Sequence, residues 1–227
     1  MPSLYILCEG DRDDLFFDLL CERVTGTKFD RPLDLRLRHG ANWKTAMSTA
    51  ELLLNRVRHW TDPQENAVVI AVDNDRAPGH PASTPHPGPL VGVDLKKQSR
   101  YAGIQKMLHS ALGPDRSAWP VDIAPAVPVE MIESWLLVLH NPNRAALPIF
   151  SSASQSLPRA YYGSTPPPQL KDLRNHDAAA KNLSLDEYFW SATESDLEAA
   201  AAASPSLKMF IDEIRSWRCV DPNIFTN

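Results

Sequence analysis

Four short segments of strand-like pattern, each followed by a stretch with helical spacing, run through the first 140 residues. Leu4-Tyr5-Ile6-Leu7-Cys8 is a continuous apolar run, the pattern of a strand buried on both faces. Ala67-Val68-Val69-Ile70-Ala71-Val72 is the strongest such signal, and Val121 to Val127 is a further one. Leu33-Asp34-Leu35-Arg36-Leu37 alternates apolar and polar residues, as a strand nearer a sheet edge does. Leu15, Phe16, Leu19, Leu20 and Val24 lie at helical spacing, as do Ala46, Ala50, Leu53, Leu54 and Val57 between Trp43 and Trp60. Lys96 to Leu112, ended by Gly113-Pro114, and Met131 to Leu139 predict two more helices. Strands alternating with helices specify an α/β fold: a mostly parallel four-stranded sheet with helices on both faces.

A chain of 227 residues suits one such domain with a small extension. With 43% hydrophobic and 22% charged residues it can bury an ordinary core. The formal charge of −5 argues against a broad nucleic-acid or membrane-binding surface but leaves room for a local basic groove. Proline is over-represented, at 20 residues. Five prolines and three glycines fall in 76–94, which reads as a long loop. After Asn141-Pro142 the texture changes to a Ser-rich stretch at 151–158 and the stiff Thr165-Pro166-Pro167-Pro168. Helical patterns return at Asp177–Trp190 and Leu207–Trp217, with the Ala-rich run 199–203 between them. The expected organisation is therefore a core domain at 1–140 and a connector with a helical C-terminal extension at 141–227.

Cys8, Cys21 and Cys219 form no disulfide framework and no C-x-x-C pair, so they read as small buried hydrophobes. No apolar run approaches the length of a membrane span, and Met1-Pro2-Ser3-Leu4 carries no basic-then-apolar leader. These features predict a cytoplasmic protein without membrane association.

In an open parallel sheet, ligands gather at the carboxyl ends of the strands. Glu9 follows the first apolar run, and Asp73 and Asp75 follow the third, two residues apart and able to converge. Carboxylates brought together repel unless a cation compensates, and oxygen-only ligation suits Mg²⁺ or Mn²⁺. The competing reading is that Asp73 and Asp75 cap a turn. His39-Gly40-Ala41-Asn42-Trp43-Lys44 lies on the same expected rim, where Lys44 could reach a phosphate at a helix N-terminus. Arg76, directly after Asp75, could do the same or pair with an acid. His80 and His86 match no metal motif and read as solvated loop residues, and Trp135 as core. The absence of G-x-x-x-x-G-K-[ST] excludes a P-loop ATPase within this chain.

Glu9-Gly10-x-x-Asp13 after an apolar strand, then strand-Asp73-x-Asp75 64 residues on, resembles the TOPRIM (topoisomerase–primase) domain. Pro128-Val129-Glu130-Met131-Ile132-Glu133-Ser134-Trp135 is similar to a Glu-x-Trp helix in small stand-alone TOPRIM-like proteins of prokaryotes. Several of their kin accompany OLD-family nucleases in phage defence. Asn141-Pro142 and Pro168-Gln169-Leu170-Lys171 look similar too, so the resemblance extends over most of the chain. It implies a Rossmann-like TOPRIM sheet and a Mg²⁺-dependent nuclease acting on nucleic acid, with a partner ATPase as a further expectation. In it Glu9 would be metal ligand or general acid–base, Asp73 and Asp75 metal ligands, and Glu133 a catalytic or second metal-holding acid, helped by Glu130. Asp13 matches the motif but suits the start of its helix. The chain departs from the nuclease pattern in lacking a clear lysine at a late strand end. A binding or sensor module without chemistry is the alternative. Strand-D-x-D also occurs in haloacid-dehalogenase-like phosphatases, normally after the first strand, and in glycosyltransferases, where Glu9-Gly10 finds no role.

Overall fold

The structure is a computed structural model describing residues 1–9, 13–32, 43–61, 65–74, 80–82, 99–128, 132–140 and 192–220. Three strands, β1 (Ser3–Cys8), β2 (Asn66–Ala71) and β3 (Asp122–Ala126), pair in parallel in that order. The register sets Cys8 beside Ala71, and Ala71 beside Ala126. The helices are α1 (Asp13–Thr25), α2 (Trp43–Val57), α3 (Arg100–Leu112), α4 (Glu133–His140), α5 (Glu194–Ala203) and α6 (Pro205–Arg215). A 3₁₀ turn covers Arg116–Ala118. This is an α/β fold around a small parallel sheet. The expected strand at Leu33–Leu37 lies outside the described residues. Just ahead of it, Asp30 bridges Ser3 in parallel sense, and Leu4 N–H donates to the Asp30 carbonyl at 2.8 Å. The chain leaving α1 thus runs along the open side of β1.

Side chains alternate across a strand, so each strand feeds two cores. Leu4, Ile6 and Cys8, with Ala67, Val69, Ala71, Ala124 and Ala126, face one way and pack with α1, α4, α5 and α6. Leu7, Val68, Ile70, Val72 and Ile123 face the other way and pack with α2 and α3. A strand buried on both sides has no room for a polar alternation, which is why β1 and β2 read as continuous apolar runs.

The Ala-rich run 199–203 is the second half of α5, whereas the sequence pattern sets it between helices. Alanine is the strongest helix former, and Thr193 and Asp196 start the helix with a reciprocal capping box. Pro205 opens α6 one residue later, with Ser204 as its cap. Residues 192–220 contribute to the core on the α1 face through Leu197, Leu207, Phe210, Ile211 and Ile214. Asp122, buried at the start of β3, holds this segment from the other side: its carboxylate accepts from the backbone and Nε of Arg218 and from Cys219 N–H. The expected helix at Asp177–Trp190 lies outside the described residues.

Cys8 and Cys21 are buried, Cys219 is partly so, and none of the three forms a disulfide. Burial pushes the Cys219 thiol up to about 12, which keeps it protonated and unreactive. Among the described residues no helix is long and apolar enough to cross a membrane.

On α1, Asp14 and Asp18 share Arg31, at 2.9 and 3.4 Å. The longer contact compensates poorly for burial, and one Asp18 carboxylate oxygen is buried without a hydrogen-bond partner. Burial therefore dominates and raises the Asp18 pKa to about 6. Because the folded value exceeds the unfolded one, stability is fully present below about 4 and declines as pH rises through about 6. Asp18→Asn is expected to flatten that decline and to gain on the order of 2 kcal/mol at pH 7. Urea denaturation of both proteins at pH 4.5 and pH 7 checks this; parallel profiles would refute it.

Candidate functional site

The parallel register brings the carboxyl ends of β1 and β2 to one edge. Glu9 directly follows β1, and Asp73 and Asn74 follow β2, which is prolonged when Val72 N–H donates to the Ala126 carbonyl. Asn74 is fully buried. Its N–H donates to the Pro128 carbonyl at 3.0 Å, and its Oδ1 accepts from the backbone N–H of Arg100 at 3.0 Å. That single amide side chain ties the end of β2 to the first residue of α3.

The Arg100 side chain turns back over the rim. Its guanidinium donates to the Asp73 carbonyl at 2.6 Å and to Glu9 Oε1 at 3.2 Å, and its carbon lies 5.6 Å from the centre of the Trp43 ring. Trp43 opens α2, and its ring fills the space above Gly103, where an added Cβ would come within 2.8 Å. The first turns of α2 and α3 are therefore held together at this edge by a tryptophan lying against a glycine. Lys44, the next residue of α2, is exposed.

Asp73 turns its carboxylate toward α4: Oδ1 accepts from Ile132 N–H at 3.1 Å. Glu133, the next residue, opens α4. Three acidic positions from distant parts of the chain (Glu9, Asp73 and Glu133) thus belong to elements meeting at one corner. Asp75, Arg76, Glu130 and the side chain of Glu133 lie outside the described residues. Asp13 is the first residue of α1, as a helix-starting acid would be.

His80 differs from the solvated loop residue that its proline-rich surroundings suggest. It is buried against Tyr101, with ring centres 5.4 Å apart. Its Nδ1 accepts from Ala82 N–H at 3.0 Å, so its Nε2 carries the proton given to the Val127 carbonyl at 2.9 Å. Burial lowers its pKa, in keeping with a neutral ring. His86 lies outside the described residues.

Sequence reasoning missed Arg100 and Asn74. Asn74 stands between two acids, and Arg100 falls inside the helix that the spacing predicts from Lys96, so nothing local marks it; the structure starts that helix at Arg100. Among the described residues, no three of His, Cys, Asp and Glu gather as a metal cluster. The donor chemistry nevertheless fits a hard divalent cation, because Mg²⁺ is commonly held by one or two carboxylates with water and substrate phosphate completing the shell. Glu9 and Asp73 are two such groups on neighbouring strand ends.

Fold and rim together define an α/β protein with Glu9, Asp73 and Arg100 at the carboxyl edge of a parallel sheet. Comparison with protein-family models, with curated proteins and with solved structures finds no match.

Proposed function

We propose that the chain is a Mg²⁺- or Mn²⁺-dependent phosphodiesterase of TOPRIM type, acting on nucleic acid, with a four-stranded Rossmann-like sheet and a role in phage defence. One observation carries this reading: Glu9 and Asp73 follow adjacent parallel strands, and α4 begins with Glu133 where the Asp73 carboxylate caps it. A divalent ion in this place would polarise the phosphoryl group and lower the pKa of an attacking water. Glu9, Asp73 and Asp75 would hold it, with Glu133 in support. Glu9, if not a ligand, would act as general acid–base, Glu133 would be a catalytic or second metal-holding acid, and Lys44 and Arg76 would bind phosphate. Arg100 would orient the Glu9 carboxylate through its hydrogen bond and balance its charge while no metal is present.

A second reading has its own observation. Arg100 pairs with Glu9, and Asp73 caps the start of α4, so both acids have structural tasks sufficient to explain them. A non-catalytic binding or sensor module, working with a partner protein, would need nothing more. Calorimetric titration with Mn²⁺ separates the two. The phosphodiesterase predicts saturable binding that Glu9→Ala abolishes; heat indistinguishable from dilution in the unaltered protein favours the module.

A further inference from the structure

The N-terminus of α3 carries donors for which the described residues show no acceptor. Four amides at a helix start have no carbonyl to reach within the helix. Here they belong to Ser99, Arg100, Tyr101 and Ala102; Arg100 N–H is taken by Asn74, and Gly103 N–H makes the first bond of the helix, to the Ser99 carbonyl. Those of Ser99, Tyr101 and Ala102 remain, and a serine at the N-cap ordinarily accepts from one of the last two. Ser99 holds the N-cap position but makes no such bond. Its residue is only 3% exposed, and its hydroxyl is buried without any hydrogen-bond partner. Buried hydroxyls are normally satisfied, so an orphan needs a reason.

An anionic oxygen provides one. It would accept from the Ser99 hydroxyl and the first-turn amides together, at the positive end of a 13-residue helix. The same turn supplies the Arg100 guanidinium, fixed beside Glu9 and the Asp73 carbonyl. We infer that Ser99 and the first turn of α3 form the phosphoryl-binding subsite of this rim, taking a phosphate oxygen of a phosphodiester or of free phosphate. The subsite rests on the proposed phosphodiesterase for its substrate, but the anion binding itself needs no metal.

The test is titration of the full chain in EDTA with inorganic phosphate, and separately with a short single-stranded oligonucleotide lacking terminal phosphates, followed by amide NMR and calorimetry. Phosphate is expected to shift the Tyr101 and Ala102 amides. Ser99→Ala is expected to weaken binding about fivefold, the size of one lost hydrogen bond, without lowering the melting temperature, since it removes an unsatisfied group. Ser99→Asp, which caps the helix and adds a negative charge, is expected to abolish binding while raising the melting temperature. Binding of the oligonucleotide identifies the phosphodiester as a ligand; binding of inorganic phosphate alone identifies a free-phosphate site. No binding of either ligand, or equal affinity in Ser99→Ala, overturns the subsite. If phosphate binds through Ser99 while Mn²⁺ never binds, the subsite stands and the phosphodiesterase falls.

Discussion

Glu9→Ala is expected to reduce Mg²⁺- or Mn²⁺-dependent nicking of supercoiled plasmid by 100-fold or more. Even residues that only support metal ligands commonly cost about 10–100-fold when removed, and Glu9 would be a ligand itself. The complication is that Glu9 also accepts from Arg100, so alanine removes a structural contact together with a charge. Glu9→Gln resolves it. The amide keeps the length of the side chain and an oxygen for Arg100 but carries no charge to hold a cation. It should therefore melt like the unaltered protein and cleave as poorly as the alanine variant. Gel-based nicking assays with and without chelator, alongside thermal melts, provide the measurement. Full cleavage by a well-folded Glu9→Gln protein would remove the phosphodiesterase proposal altogether.

Trp135→Ala is expected to destabilise the fold by about 3–5 kcal/mol, the range for deleting a large buried aromatic. Trp135 is fully buried on α4, stacked on Phe210 of α6 at 5.5 Å and edge-on to Phe17 of α1 at 6.2 Å. Its indole N–H donates to the buried Ser206 hydroxyl at 2.8 Å. The alanine variant loses the packing against α1 and α6 and leaves Ser206 without the indole donor. Trp135→Phe should recover most of the packing while leaving the hydroxyl bond unmade, at about 1–2 kcal/mol. Chemical denaturation of the three proteins gives the comparison. A loss below 1 kcal/mol for alanine would mean that the face joining α4 to α6 is not a packed core.

How far this protein is legible in its sequence varies with the distance over which each contact acts. The apolar run at 67–72 reads as a strand because it is too short for an ordinary helix, and its β-branched Val68, Val69, Ile70 and Val72 suit a strand covered on both faces. Helices α1 and α2 follow from spacing within fewer than twenty residues, and Trp135 reads as core from its apolar neighbours. Glu9 and Asp73 were legible as acids at strand ends, and the observed parallel register brings those ends to one edge. The helical nature of residues 199–203 is written in Thr193, Asp196 and the alanines themselves, although the spacing pattern sets the run between two helices.

The partners of those acids were not legible. Arg100 lies 91 residues beyond Glu9, and nothing local in either segment marks the pair. Their meeting depends on β1 lying beside β2, on Asn74 fastening α3 to the end of β2, and on Trp43 resting against Gly103. His80 shows the same limit, since a histidine among prolines becomes a buried neutral ring only once Tyr101 and the end of β3 enclose it. Periodicity and capping are properties of a short stretch of chain, so composition and spacing determined the elements and their faces. Burial, hydrogen-bond partners and ion pairs are properties of the space between elements, so only the assembled sheet and its helices decided what those side chains do.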